Sequence, residues 1–277
     1  MNKSYQFDQF KPEQMKSEVK RLTENVESHF QVLINLFLEN GLYGARKVLD
    51  VGCGTGAMVN LISDCLPETE FIGVDNSTAI LDTARTQHSH KESITFVHSD
   101  ATALPFSDNT FDFVYTRLVL MHNSNPNEII REMTRVCKPG GVICAVEIDD
   151  GTQVFHPHGD ELSTLIQANI KHASLHGTDR TIGRKLYSFF TSENSVSDVK
   201  IIIQTSDYLN ENRQDADIPI LLKFALADDE GKRFVEEGLL TEKERNELVS
   251  KYIPEFCADP NRYESCSFMY AFGRKAN

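Results

Sequence analysis

The feature that most constrains the fold is a short segment in which an apolar strand runs into three alternating glycines. The strand covers residues 48–51, and Gly52, Gly54 and Gly56 follow it before a helical pattern begins. Glycines let the backbone turn sharply and approach a ligand without an intervening Cβ, while the first N–H groups of the next helix point at that ligand. The segment therefore predicts a nucleotide-cofactor loop.

An acidic residue ends the second apolar strand. Asp75 follows the strand 71–74 and lies about 20 residues beyond the glycines, the distance at which a carboxylate meets ribose hydroxyls. The glycine spacing alone leaves the cofactor open, because Gly52-x-Gly54-x-x-Ala57 also satisfies the looser dinucleotide pattern. A dinucleotide and another nucleotide cofactor are both compatible with these residues.

Further motifs follow this acid in a fixed order. They are 94–101, which ends in Asp100-Ala101; 104–106, Leu-Pro-Phe; 111–115; and 138–141, Lys-Pro-Gly-Gly, which leads into the apolar strand 142–147. In this order and spacing the chain resembles the class I S-adenosylmethionine-dependent methyltransferases. It resembles most closely their small-molecule group, which includes the ubiquinone and menaquinone biosynthesis enzymes. The resemblance covers residues from about 45 to 150, and it implies S-adenosylmethionine as cofactor and an EC 2.1.1 activity.

Strand and helix patterns alternate from the first strand onward, with helices predicted at 57–66, 77–87 and 126–137. Alternation of this kind predicts an α/β fold with a parallel sheet, in which ligands collect beyond the carboxyl ends of the strands. The resemblance implies a Rossmann-like class I methyltransferase fold. This fold has a mostly parallel seven-stranded sheet, an N-terminal helical lid and a helical insertion between strands five and six.

Four segments are expected. Residues 1–44 form the N-terminal helical lid, 45–150 the S-adenosylmethionine-binding core, 151–198 a helical insertion over the active site, and 199–277 the strands and helices that complete the sheet. Apolar residues at spacings of three and four between Met15 and Phe37 predict a helix in the first segment. The resemblance makes it a lid with residues 5–7 at its mobile end, and the alternative is simple packing against the sheet.

The resemblance assigns cofactor-binding roles to residues at strand ends. These are the glycines 52, 54 and 56, with Asp50 for the methionine amino group, Asp75 and Asn76 for the ribose, Asp100 and Ala101 for the adenine edge, and Thr116 and Arg117 for the methionyl part. A buried strand-end acid without such a task is costly, which favours a functional role for Asp50. The side chains of Thr116 and Arg117 have a structural role as their alternative.

Two residues are candidates for catalysis. A sulfonium is already an excellent leaving group, so the protein mainly orients the acceptor, and a base helps when the acceptor is a phenol, an enol or an activated carbon. His122, just past the fourth strand, is the predicted base, because histidine titrates near neutrality. Glu147, at the end of the fifth strand, is predicted on the substrate side, where it binds a polar substrate group or the lid.

The acceptor is predicted to be a small aromatic or polyketide-like molecule, methylated on oxygen or carbon. Four aromatic residues of the insertion are candidates for an apolar pocket wall, with ordinary core packing as the alternative: Phe155, Tyr187, Phe189 and Phe190. Two other functions stay open. One is a non-methylating S-adenosylmethionine-binding scaffold or pericyclase-like enzyme. The other is an NAD-dependent oxidoreductase, which Asp100-Ala101 and the motif at 138–141 disfavour.

No metal site is expected. Six cysteines show no CxxC pair, and His156 and His158 lie in a proline-containing loop unsuited to one ion. His172 and His176 are four residues apart on a predicted helix and lack an obvious third ligand.

Charge and hydropathy restrict the partners. The chain carries 28 basic and 41 acidic residues, a net charge of −13, which disfavours nucleic acid. No stretch approaches the ~18–20 uninterrupted apolar residues of a membrane helix, and the polar start does not look like a secretory signal. A cytoplasmic monomer or homodimer with a small-molecule substrate is expected.

Overall fold

A computed structural model of the protein describes residues 7–207 and 228–277. The chain forms two compact units. The first contains 1–147, 185–202 and 270–277, and the second contains 148–184 and 203–269. Within the described ranges, no helix combines the length and the apolar character needed to cross a membrane.

Seven strands form one sheet in the order β3-β2-β1-β4-β5-β7-β6. They are β1 Lys47–Val51, β2 Glu70–Asp75, β3 Ile94–His98, β4 Phe111–Arg117, β5 Cys137–His156, β6 Val196–Asp207 and β7 Tyr263–Lys275. The pairs β1–β2, β1–β4, β2–β3 and β4–β5 are parallel. The expected α/β fold with a seven-stranded sheet is confirmed.

The sheet is mixed rather than purely parallel, because β6 and β7 run in opposite directions. The Ala276 N–H donates to the Ser195 carbonyl at 2.8 Å, and the Ser197 hydroxyl donates to the Arg274 carbonyl at 3.4 Å. As the residue number rises by two on one strand, it falls by two on the other. This is the order of partners in an antiparallel ladder.

Three helices of the first unit lie where their patterns predict them: α2 Ala57–Cys65, α3 Thr78–Gln87 and α4 Pro126–Val136. Local chemistry sets their starts. The Ser77 hydroxyl accepts the Ile80 N–H at 3.2 Å, and Pro126 occupies the first turn of α4. An N-cap hydroxyl and a proline in the first turn both favour helix initiation, so the strand ends pass directly into ordered helices.

The long N-terminal helix α1, Pro12–Phe37, packs against the sheet through its C-terminal end. Leu33, Ile34 and Phe37 are buried, and the Phe37 ring lies 5.3 Å from Phe113 and 5.2 Å from Tyr115 between centroids. The packing alternative for this segment is therefore confirmed. Its role as a lid stays a prediction, and the predicted mobile residues 5 and 6 lie outside the described residues.

The second unit has its own apolar core. Its described residues include the helices α5 Gly159–Leu175, α7 Asp228–Glu236, α8 Glu242–Glu247 and α9 Ile253–Ala258, and the helix α6 Leu186–Ser192 belongs to the first unit. Leu162, Leu165, Phe234 and Phe256 are buried in one cluster. A capping box at Thr241 begins α8, where the Thr241 hydroxyl accepts the Glu244 N–H at 3.2 Å.

The segment 151–198 is helical only in its central part, which corrects the predicted insertion. Strand β5 extends to His156, and β6 already begins at Val196. The β-branched and aromatic residues Thr152, Val154 and Phe155 favour a continued strand, which explains the later start of the helical part.

Candidate functional site

The predicted site residues meet at one edge of the sheet because the strands are parallel and in register. Val51 lies opposite both Val74 and Thr116, so the carboxyl ends of β1, β2 and β4 are level. Arg117 lies opposite Val146, which brings Glu147 to the same edge. The edge also includes the end of β3, because Asp75 lies opposite His98.

The glycine loop is tied to the end of β2. The N–H groups of Gly52 and Cys53 both donate to the Val74 carbonyl, at 2.8 and 2.9 Å. The next free donor, the Gly54 N–H, reaches the Asp75 carboxylate at 3.0 Å. The loop and the predicted ribose acid therefore form one hydrogen-bonded unit rather than two independent elements.

Glycine is needed at the three positions of the loop for different physical reasons. All have positive φ angles, 82° at Gly52, 54° at Gly54 and 72° at Gly56, where other residues are strained. A Cβ at Gly52 would collide with Val119, and one at Gly56 would lie 2.5 Å from the Phe96 ring. A Cβ at Gly54 would meet no atom closer than 3.7 Å. Packing therefore requires the outer two glycines, and the expected room for a ligand lies at the middle one.

Asp50 is a buried acid at the end of β1. Its carboxylate accepts a hydrogen bond of 2.8 Å from the Tyr115 hydroxyl, on the adjacent strand β4. Burial raises the pKa of Asp50 from 3.8 to about 7, and the charge of Asp75 adds to this rise, whereas the Tyr115 hydroxyl and the charge of Arg117 oppose it. Because these two groups compensate the buried carboxylate only partly, this position favours a cationic ligand.

Asp75 organises the backbone around it. Its two oxygens accept from the N–H groups of Ser77 and Gly54, both at 3.0 Å. Burial raises the pKa of Asp75, and these backbone donors oppose the rise. A carboxylate has about four acceptor sites, so two backbone bonds leave capacity for ribose hydroxyls. Asn76 beside it is exposed, and its carbonyl lies 3.1 Å from His98 Nε2.

The predicted adenine residues lie in the turn after β3. Asp100 accepts from both the N–H and the hydroxyl of Thr102, at 3.0 and 2.9 Å, which holds the turn that contains Ala101. Ala101 is half-buried. Their contact with adenine stays a prediction.

The side chains of Thr116 and Arg117 join structural elements. Thr116 is fully buried, and its hydroxyl donates to the Val51 carbonyl at 2.8 Å. Arg117 Nη2 donates to Asn25 of α1 at 2.7 Å. The structural alternative therefore describes what both side chains do, while a role of this backbone in holding the methionyl part stays a prediction.

Glu147 positions the turn that carries His122. One carboxylate oxygen of this fully buried residue accepts from the N–H groups of Val119 and Leu120, at 2.9 and 2.7 Å. These donors begin the 3-10 turn Leu120–His122, in which His122 is half-buried. The other oxygen, Oε2, has no hydrogen-bond partner in the described part of the chain. Burial raises the pKa of Glu147 from 4.5 to about 8.

Two contacts of this site had no clear sequence signal. Asp8, in the N-terminal 3-10 turn Phe7–Gln9, accepts from the Ser77 hydroxyl at 2.8 Å and the Ala79 N–H at 3.1 Å. Asn25 reaches Arg117 from the middle of α1. The contact between Asp50 and Tyr115 can be expected only once the pairing of β1 with β4 is known, because the two residues lie opposite each other in that register.

Two of the four aromatic residues predicted as a pocket wall are core residues of their own units. Phe155 is buried in the core of the second unit, 5.8 Å from the Phe256 ring. Phe190 is fully buried in the first unit, whereas Tyr187 is exposed. Core packing therefore explains Phe155 and Phe190.

Comparison with known proteins gives the same family as the motifs. Residues 49–145 match the family described as "Methyltransferase domain". An uncharacterised methyltransferase from Schizosaccharomyces pombe is 37% identical over 148 residues, which cover 50% of this chain and 53% of that protein. A demethylmenaquinone methyltransferase from Staphylococcus aureus is 30% identical over 151 residues, 50% of this chain and 63% of that protein.

Residues 49–145 therefore match a methyltransferase domain, the family that the motifs predict. The cofactor of this domain class is S-adenosylmethionine, as the motifs predict. The YcgJ protein from Bacillus subtilis shares the fold, with a TM-score of 0.58 at 19% identity over 88% of this chain and 98% of that one. The chain spans less than two-thirds of the length of the two curated relatives above, so the similarity describes the methyltransferase domain and not a whole protein.

The raised pKa of Glu147 predicts a pH-dependent stability of the methyltransferase domain. Between pH 4.5 and about 8 the native chain holds a proton that the unfolded chain has released. The free energy of unfolding should therefore fall as the pH rises through this window, by up to ~1.4 kcal/mol per pH unit from this one group. Glu147→Gln, which resembles the protonated form, should flatten the curve in urea denaturation from pH 5 to pH 8.

The exposed Glu92 is the matched control, and Glu92→Gln should leave the slope of the wild-type curve unchanged. Parallel curves for the wild type and Glu147→Gln would show that Glu147 is not a buried acid with a raised pKa.

Proposed function

We propose that this protein is an S-adenosylmethionine-dependent methyltransferase that acts on a small molecule. The observation that carries this proposal is the pair of acids, Asp50 and Asp75, at the two strand ends that hold the glycine loop. The Asp50 carboxylate is buried beside the Tyr115 hydroxyl. Burial raises the pKa of both acids, and the charge of Asp75 raises the pKa of Asp50 further. A cationic ligand relieves this unfavourable arrangement.

The two candidate cofactors differ in the sign of the charge that they bring to these acids. S-adenosylmethionine brings an ammonium group and a methyl group on an electrophilic sulfonium, whereas a nicotinamide dinucleotide brings an anionic pyrophosphate. One unit charge at about 4 Å from another contributes ~4 kcal/mol at an effective dielectric constant of 20. The carboxylate of Asp50 therefore favours the ammonium group over the pyrophosphate, whereas the ribose acid Asp75 suits either cofactor.

The residues of the edge divide the binding task in this proposal. Asp50 holds the amino group, Asp75 accepts from the ribose hydroxyls with Asn76 beside it, and the open position at Gly54 lets the backbone come close. Asp100 and Ala101 hold the adenine edge. The backbone at Thr116 and Arg117 supports the methionyl part, since both side chains already have structural partners.

His122 is the proposed base, and Glu147 is its positioning residue. An oxygen or carbon acceptor must lose a proton at or before its attack, and a histidine near neutrality can take it. Glu147 holds the backbone of the turn Leu120–His122 through the N–H groups of Val119 and Leu120. A shift of this turn would misplace the imidazole even if the cofactor still binds.

The proposed acceptor is an aromatic or polyketide-like small molecule. The similarity to a demethylmenaquinone methyltransferase supports an aromatic acceptor, and the need for a base supports methylation of oxygen or carbon. The N-terminal helical segment is proposed as the lid. Its support is the pair of hydrogen bonds that Asp8 accepts from the Ser77 hydroxyl and the Ala79 N–H, at the start of α3 and close to Asp75 in the chain.

A non-methylating scaffold and an oxidoreductase are the competing functions. Incubation with S-adenosylmethionine labelled in its methyl group, together with a panel of small phenols and reduced quinones, separates them. Transfer of the label to an acceptor supports methylation. Tight cofactor binding with no transfer to any acceptor favours the scaffold, and binding of NAD instead of S-adenosylmethionine favours the oxidoreductase.

Calorimetry of an Asp75→Ala variant tests the cofactor site. The variant should bind S-adenosylmethionine more weakly by about 1–3 kcal/mol, because the ribose hydroxyls lose their acceptor. Asp82→Ala is the matched control, since Asp82 is an exposed acid of the same helix region that pairs with Arg85 at 2.9 Å. The wild type should give no heat with NAD. Unchanged affinity in Asp75→Ala would remove this residue from the site.

A His122→Ala variant tests the proposed base. Its affinity for S-adenosylmethionine should stay within twofold of the wild type, while its turnover with the best acceptor of the panel should fall about 10²–10⁴-fold. His90→Ala changes an exposed histidine and should keep full turnover. Full activity of His122→Ala would reduce His122 to a structural residue.

A further inference from the structure

Three metal-binding side chains converge in the second unit. His172 lies in the last turn of α5, His176 follows the last residue of that helix, and Glu237 follows α7. His172 Nδ1 lies 2.6 Å from one carboxylate oxygen of Glu237, and His176 Nε2 lies 3.0 Å from the other. One ligand atom from each of the three residues lies within 4.8 Å of the other two.

The expectation of no metal site depended on the lack of a third ligand for His172 and His176. The two histidines had no third ligand close to them in the sequence. The fold supplies one in Glu237, which is 61 residues beyond His176. The spacing of residues in the sequence could not identify Glu237 as a ligand, because the contact depends on how α5 and α7 pack.

We propose that His172, His176 and Glu237 form a binding site for a divalent transition-metal ion of the zinc type. Imidazole nitrogen and carboxylate oxygen are ligands that zinc accepts, and three protein ligands leave one position of a tetrahedral ion for water. The His176 N–H donates to the His172 carbonyl at 3.2 Å, as in a helical turn, so the two side chains lie on the same face without distortion of α5. Their centroids are 4.5 Å apart.

The distances are compatible with this ion after a small movement. Ligand bonds of about 2.0–2.2 Å in a tetrahedron place the ligand atoms ~3.4 Å from one another. The two histidine nitrogens contact different oxygens of Glu237, at 2.6 and 3.0 Å. One ligand atom from each of the three residues lies within 4.8 Å of the other two, so the widest separation has to shorten by up to ~1.4 Å around an ion.

The surroundings give one fixed ligand and one accessible ligand. The edge of the Phe234 ring packs against His172, with centroids 5.3 Å apart, and only 22% of the His172 side chain is exposed. The His176 side chain is 60% exposed, which opens the cluster to ions from solvent. A packed first ligand limits the ordering that binding requires, and an exposed one provides the route of entry.

A bound ion would connect α5 to the end of α7. It would therefore stabilise the folded second unit, because a preformed cluster of this kind does not exist in the unfolded chain. This effect distinguishes a metal site from a shared ion pair. An ion pair of two histidines with one glutamate stabilises the fold without any added metal.

The test measures zinc binding to the full chain after treatment with a chelator and its removal. Equilibrium dialysis gives the stoichiometry and affinity, thermal unfolding with and without zinc gives the stabilisation, and the visible spectrum after addition of cobalt reports the ligands. His176→Gln and Glu237→Gln are the site variants. His158→Gln is the matched control, because His158 in the same unit also pairs with a glutamate, Glu255, at 2.9 Å.

The proposal expects one zinc ion per chain and a higher unfolding temperature when zinc is present. Each site variant should weaken zinc binding at least about tenfold and abolish the rise in unfolding temperature, and it should change the cobalt spectrum. The control should match the wild type in all three measurements. Absence of stoichiometric binding would overturn the proposal, as would site variants that bind zinc as the wild type does. Variants that lose stability without any zinc-dependent difference would show an ion pair only and would also overturn it.

Discussion

The parallel pairing of β1 with β2 and β4 is the constraint on which the rest of the structure depends. It places Val51 level with Val74 and Thr116, and so it brings Asp50, Asp75 and the end of β4 to one edge. A shift of one residue in β1 would turn the side chain of Asp50 to the other face of the sheet. The bond from the Gly54 N–H to Asp75 then holds the loop and β2 in a single arrangement.

The same arrangement places acids where they are costly in the absence of a ligand. Burial raises the pKa of Asp50 to about 7 and that of Glu147 to about 8, so both carboxylates are poorly stabilised as anions near neutral pH. Natural sequences accept such costs mainly where a ligand or a reaction offsets them. Asp50 has the more direct use in our account, as the partner of a cation. Glu147 acts through the backbone of the turn that carries His122.

Much of the core could be predicted from the sequence because its signals are local. The glycine loop, the acid at the end of β2 and the starts of α3 and α4 all depend on residues within a few positions of one another. The α2, α3 and α4 helices accordingly end within one residue of their predicted bounds. The strand extension to His156 was missed, because Gly151 resembles a break although the residues after it favour a strand.

Other features depend on contacts between distant residues and had no local signal. Tyr115 forms a hydrogen bond with Asp50 on the adjacent strand, and Asp8 forms one with Ser77 at the start of α3. Glu237 contacts two histidines at the end of another helix. Phe155 and Phe190 of the predicted aromatic wall lie in the core. Composition does not tell a core phenylalanine from a pocket one. The acceptor is therefore the part of the function that sequence patterns constrain least.

In our proposal, the acidic edge formed by the glycine loop and the strand ends holds S-adenosylmethionine. A crystal structure with the demethylated cofactor, S-adenosylhomocysteine, tests it most directly through the distances from the ligand to Asp75 and Asp50. We predict ribose hydroxyls within hydrogen-bond distance of the Asp75 carboxylate and the ligand's amino group near Asp50. A ligand bound away from this edge, with neither carboxylate in contact, would contradict the account.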